Sequence, residues 1–113
     1  MIAAHLFLNH RQNRGGFEIQ GHSGYAEEGA DIICSAVSAL AINTANSLEK
    51  LLGLKPAVSS RDGYLSCEVP EIRQAAETQE GAELLFRSLE QGLQAIADAY
   101  GKKYLNVMTY QKA

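Results

Sequence analysis

Phe17-Glu18-Ile19-Gln20-Gly21-His22-Ser23-Gly24-Tyr25-Ala26-Glu27-Glu28-Gly29-Ala30-Asp31-Ile32-Ile33-Cys34-Ser35-Ala36-Val37 is the stretch that decides the fold. It begins with alternation. Phe17, Ile19 and Gly21 fall on one face and Glu18, Gln20 and His22 on the other, the period of a half-buried strand over residues 17–22. Ser23 to Ala30 is polar and holds Gly24 and Gly29, so it reads as a loop. From Asp31 the spacing changes to three and four. Ile33, Val37, Leu40, Ala41, Thr44, Leu48 and Leu51 line one face of a long helix. Asp31 is a good N-cap, and Gly53 with Pro56 supplies the stop. The alanines at 36, 39, 41 and 45 give a thin face suited to close packing.

Upstream, Ile2 to Asn9 alternates in the same way, with Ile2, Ala4, Leu6 and Leu8 on one face. Asn13-Arg14-Gly15-Gly16 is a turn signal, so the first two strands form a hairpin. Downstream, Arg61-Asp62-Gly63-Tyr64 sits between two short β-type runs, and Asp-Gly is a strong two-residue hairpin turn. Leu65, Cys67 and Val69 share a face of the second run. A second helix is predicted over about residues 79–100, with the stripe Leu85, Leu89, Leu93, Ile96 and Tyr100 and Gly101 as its C-cap. Tyr104 to Tyr110 is a last strand. The order ββαββαβ implies an α+β fold of two layers, a mainly antiparallel sheet with two helices.

A chain of 113 residues suits one domain, here residues 1–113. Ten Lys+Arg against thirteen Asp+Glu give a net charge of −3, which leaves no basic surplus for phosphate contacts and speaks against direct nucleic-acid binding. No apolar run approaches a membrane span. Ile2 to Leu8 lacks a preceding basic region and a small-residue cleavage site, so it reads as a strand rather than a signal peptide. The expected location is the cytoplasm, where thiols stay reduced and Cys34 and Cys67 are not a disulfide. No CxxC or HxxxH pair supports a metal site, and neither metal nor cofactor is expected.

Cys34 carries the chemistry. With Asp31 as N-cap, it falls in the first helical turn, near free backbone N–H groups and the positive end of the helix dipole. The dipole contributes about 0.3–1 kcal/mol to a thiolate, whereas two pKa units require about 2.7 kcal/mol. A nearby cation is therefore needed, and His22, at the end of the preceding strand, is the candidate. Within reach, it would take the thiol proton and later protonate the leaving amine. The N–H groups of Cys34 and Ser35 are candidate oxyanion donors. The alternative is that Cys34 is a small buried hydrophobe and His22 a solvated strand end. Asp31 either caps the helix or holds His22; a carboxylate beside sulfur opposes a thiolate, which favours the cap. Ser38 lies one turn beyond Cys34, lining the site or bonding back to a carbonyl. Cys67 reads as core. His5 and His10 receive no role, and Glu27 and Glu28 read as a solvated loop edge. The small, acidic loop 23–30 is expected to be mobile and to close over a peptide, with Tyr25 either touching substrate or plugging the loop onto the core.

Gly21-His22, the acidic glycine-containing loop and Gly29-x-Asp31-Ile32-Ile33-Cys34-x-Ala36-Val37-Ser38 together resemble the ribosomal-processing cysteine protease family. Ser23 stands where that family more often has alanine. The resemblance extends in length and element order over the whole chain, and it implies a catalytic pair at His22 and Cys34 and a homodimer. It also implies a substrate, the bacterial large-subunit ribosomal protein twenty-seven, from which a short N-terminal extension ending in an apolar, phenylalanine-containing stretch is removed. Two other readings compete: a non-catalytic ribosome-assembly or interaction module, and another thiol-dependent enzyme such as an amidase or redox protein.

Overall fold

The computed structural model describes residues 1–27, 29–71 and 74–112. Five strands and two helices follow in the order β1 (Ile2–Leu8), β2 (Arg14–Gln20), α1 (Ile32–Leu52), β3 (Ala57–Arg61), β4 (Tyr64–Glu68), α2 (Ala76–Tyr100) and β5 (Leu105–Gln111). The sheet runs β3-β4-β2-β1-β5. All neighbours are antiparallel except β1 and β5. This is the expected ββαββαβ α+β architecture.

The alternation in sequence produces a one-sided sheet. Ala4 pairs with Ile19 and Leu6 with Phe17; Phe17 in turn pairs with Cys67, and Ile2 with Leu105. All of these residues are buried in one cluster with the inward faces of both helices. Both helices therefore cover the same face, as a sheet with one apolar side requires. Phe17 meets Phe86 of α2 edge-to-face at 6.3 Å between centroids. No helix among the described residues is long and apolar enough to cross a membrane.

The structure differs from the sequence reading in four places. The first turn lies at residues 9–13, not 13–16. The side chain of Asn9 accepts from the N–H groups of Arg11 and Asn13 at 2.9 and 3.2 Å, building the turn locally. This frees Arg14 to begin β2, where its guanidinium binds Glu83 at 3.0 Å and Glu90 at 2.8 Å, tying the strand to α2. β2 ends at Gln20, so His22 lies beyond the strand. The stripe of α2 is rotated: Phe86 is fully buried while Tyr100 is exposed, because Ala82 and Ala97 share the sheet-facing side. On α1, Leu51 is exposed although it continues the three-and-four spacing; the buried face ends with Leu48 one turn before the cap.

Candidate active site

Gly21 is the corner from which the site is built. Its φ of 98° lies in the left-handed region, and a Cβ there would stand 2.4 Å from the carbonyl oxygen of Met1. Only glycine satisfies both conditions. Its N–H donates to the carbonyl of Gly63 in the β3–β4 turn at 2.8 Å. The chain then leaves the sheet with His22 exposed and Ser23 buried.

Ser23 and Asp31 fasten the loop to α1. The Ser23 hydroxyl donates to Oδ2 of Asp31 and accepts from the N–H of Tyr25 at 3.1 Å. Oδ1 of Asp31 accepts the N–H groups of Ile33 and Cys34, both at 3.0 Å, and Oδ2 also takes that of Ala26 at 3.4 Å. Asp31 is thus the helix N-cap. Burial works to raise its pKa, but donation from Ser23 and from the backbone of Cys34, Ala26 and Ile33 outweighs it and holds the carboxyl at about 2.

Cys34 is free and half-buried in the first turn of α1. The N–H of Ser23 donates to its Sγ at 3.4 Å, and the Sγ lies 3.8 Å from the Ser23 hydroxyl. Ser23 is the residue that the sequence reading passed over. Nothing in its spacing announces it; the single signal was its departure from alanine. The expected oxyanion donors are engaged elsewhere. Cys34 N–H binds Asp31 Oδ1, and Ser35 N–H closes the first helical turn on Asp31 O at 3.1 Å.

A cleft of about 410 Å³ opens between α1 and the β3–β4 hairpin, and His22, Asp31, Cys34 and Ser38 all line it. Its floor is apolar, with Ile19, Val37, Ala41 and Leu65. His22 and Cys34 share this cleft without a direct hydrogen bond among the described residues, a separation common in unliganded sites. Tyr25 does not line it. Its ring packs edge-on against Tyr100 and Tyr104 at 5.6 and 5.3 Å, securing the loop to the end of α2. A cavity of about 440 Å³ at the opposite end, around Asn9, Arg14 and Gln79, contains no thiol. Cys67 lies in the core, and burial pushes its thiol up to about 11. His10 pairs with Glu71 at 2.6 Å and His5 packs on Tyr110, both away from the cleft. Glu27 is exposed, and Glu28 lies outside the described residues. No cluster able to hold a metal occurs among the described residues.

Residues 1–105 match the family described as cysteine protease Prp. The ribosomal processing cysteine protease Prp of Bacillus subtilis (strain 168) is 32% identical over 111 residues, which span 96% of this chain and 97% of that protein. The essential ribosomal processing protease Prp from S. aureus, solved with a covalently linked product peptide, has the same fold. Its TM-score is 0.83 at 21% identity, covering 96% of this chain and 99% of that one. SMU.848 from Streptococcus mutans gives a TM-score of 0.77 at 27% identity, covering 99% of this chain and 96% of that one.

Proposed function

This chain belongs to the Prp family of cysteine proteases, and from that premise we propose that Cys34 and His22 form its catalytic pair and that it removes an N-terminal extension from a large-subunit ribosomal protein. The observation that carries the pair is the shared cleft, with a half-buried first-turn thiol on one wall and an exposed imidazole on the other.

The chemistry proceeds in two stages. His22 takes the proton of Cys34, and the thiolate attacks the scissile carbonyl. The C–N bond breaks as the imidazolium returns its proton to the leaving amine, leaving a thioester on Cys34. Water, deprotonated by His22, then hydrolyses the thioester and regenerates the thiol. Asp31 acts through the helix rather than on the imidazole: both of its oxygens are taken by donors of the loop and first turn, which fixes where Cys34 emerges. Ser38 lines the substrate side.

Support for the substrate comes from the relatives' names, from the peptide-bound S. aureus protein and from the apolar floor of the cleft, which suits a phenylalanine-containing stretch. Residues 1–113 act as one protease domain, in the cytoplasm and as a homodimer. The test is incubation with the extended ribosomal protein, read by mass spectrometry. Wild type trims the extension, and Cys34→Ala leaves it intact while remaining folded by circular dichroism. Equal trimming by both would overturn the reading.

A further inference from the structure

We propose that Gly63 is a positioning residue for His22, its missing side chain forming the seat on which the imidazole rests; this deepens the catalytic reading and rests on it. A Cβ built on Gly63 would stand 2.9 Å from His22 Nε2, 3.5 Å from Cδ2 and 3.6 Å from Cε1. All three of its nearest atoms belong to that one ring. The N–H of Gly21 also donates to the Gly63 carbonyl at 2.8 Å. The backbone leading into His22 and the ring itself are therefore referred to the same residue of the β3–β4 turn, and both residues line the cleft that holds Cys34.

The turn alone does not account for this arrangement. A hairpin turn with φ of 68° calls for glycine on conformational grounds. Gly53, the C-cap of α1, has nearly the same φ of 66°, yet a Cβ there would meet nothing within 4 Å. The two glycines share a backbone constraint and differ in what faces them. That difference separates a merely structural role from a positioning one. His22 is exposed, and a Cβ at 63 would displace its imidazole.

The experiment compares Gly63→Ala and Gly53→Ala with wild type and His22→Ala in the full chain. Three properties are read: peptide cleavage, the pH dependence of Cys34 alkylation by iodoacetamide, and the ring signals of His22 in ¹H–¹⁵N correlation spectra. Both glycine variants carry the same left-handed strain. Gly63→Ala is expected to lower kcat roughly ten- to hundredfold, the scale of a misplaced catalytic group. It should also move the His22 ring signals and shift the alkylation profile toward that of His22→Ala. Gly53→Ala should leave all three unchanged. Should Gly63→Ala fail to fold, Gly63→Asn tolerates the left-handed region while still setting a Cβ against the ring. Wild-type ring signals and turnover in the folded position-63 variant would overturn the proposal. Wild-type cleavage by His22→Ala would instead overturn the catalytic assignment, so the two failures are distinguishable.

Discussion

Cys67 is the internal reference against which the nucleophile is judged. Its side chain is 1% exposed and lies opposite Phe17 in the sheet. Burial raises its thiol from an ordinary value of 9.0 to about 11, because the interior solvates a thiolate poorly. Two pKa units correspond to about a hundredfold less thiolate at neutral pH, and alkylation proceeds through the thiolate. The perturbation is Cys34→Ala, which leaves Cys67 as the single thiol. Cys67 is expected to react with iodoacetamide at least about a hundredfold more slowly than a free model thiol, and more slowly still where opening limits access. Wild type should take one label, on Cys34. The assay is intact-mass spectrometry over time with N-acetylcysteine as reference. Labelling of Cys34→Ala at close to the reference rate would show that Cys67 is not core and that the pairing of β2 with β4 is wrong. The same burial sets a stability signature. A folded pKa above the unfolded value gives a contribution that is complete below about pH 9 and is lost as pH rises toward 11. Thermal melts of wild type should weaken across that window, and Cys67→Ala should lack this limb.

Two further outcomes follow from the Ser23–Asp31 junction. Asp31 is held at about 2, below the unfolded carboxylate value of about 3.9, so its contribution is present above about pH 4 and is lost as pH falls through 2; denaturant melts of Asp31→Asn should show a flatter acid limb than wild type, and identical limbs would contradict the cap. Ser23→Ala removes the acceptor of the Tyr25 N–H; at about 0.5–1.5 kcal/mol per hydrogen bond, Tyr25 amide exchange should accelerate roughly two- to thirteenfold, and an unchanged rate would mean the loop is held without that bond.

The fold was legible where periodicity was strong. Residues 17–37 gave strand, loop and helix in order, and Asp31 and Gly53 bound α1 as their chemistry requires. Legibility failed where side chains act at a distance in sequence. Gly15 and Gly16 resemble a turn, yet they lie in β2 because Asn9 builds the turn earlier and Arg14 is drawn to Glu83 and Glu90. The α2 stripe was misplaced because Leu85 and Phe86 are both apolar and adjacent. Packing against Phe17 selects Phe86, a tertiary fact that no local pattern contains.

The candidate site shows the same division more sharply. Cys34 and His22 were marked by residue type together with position, a thiol in the first helical turn and an imidazole at the end of the preceding strand, and the cap at Asp31 follows from local rules. What surrounds them is made of backbone and of small residues. Ser23 bonds across eight positions to Asp31, and Gly63 meets His22 across forty-one positions of the chain. Neither is visible as a motif, since glycine in an Asp-Gly turn and serine in a polar loop are what those segments need in any case. The loop 23–30 illustrates the consequence. Its composition suggests a free lid, but Ser23 is buried at one end, Asp31 gathers donors at the other, and Tyr25 packs between Tyr100 and Tyr104. Any closure over a peptide therefore has to turn about the positive-φ glycines, Gly24 and Gly29, while the contacts that aim Cys34 stay in place.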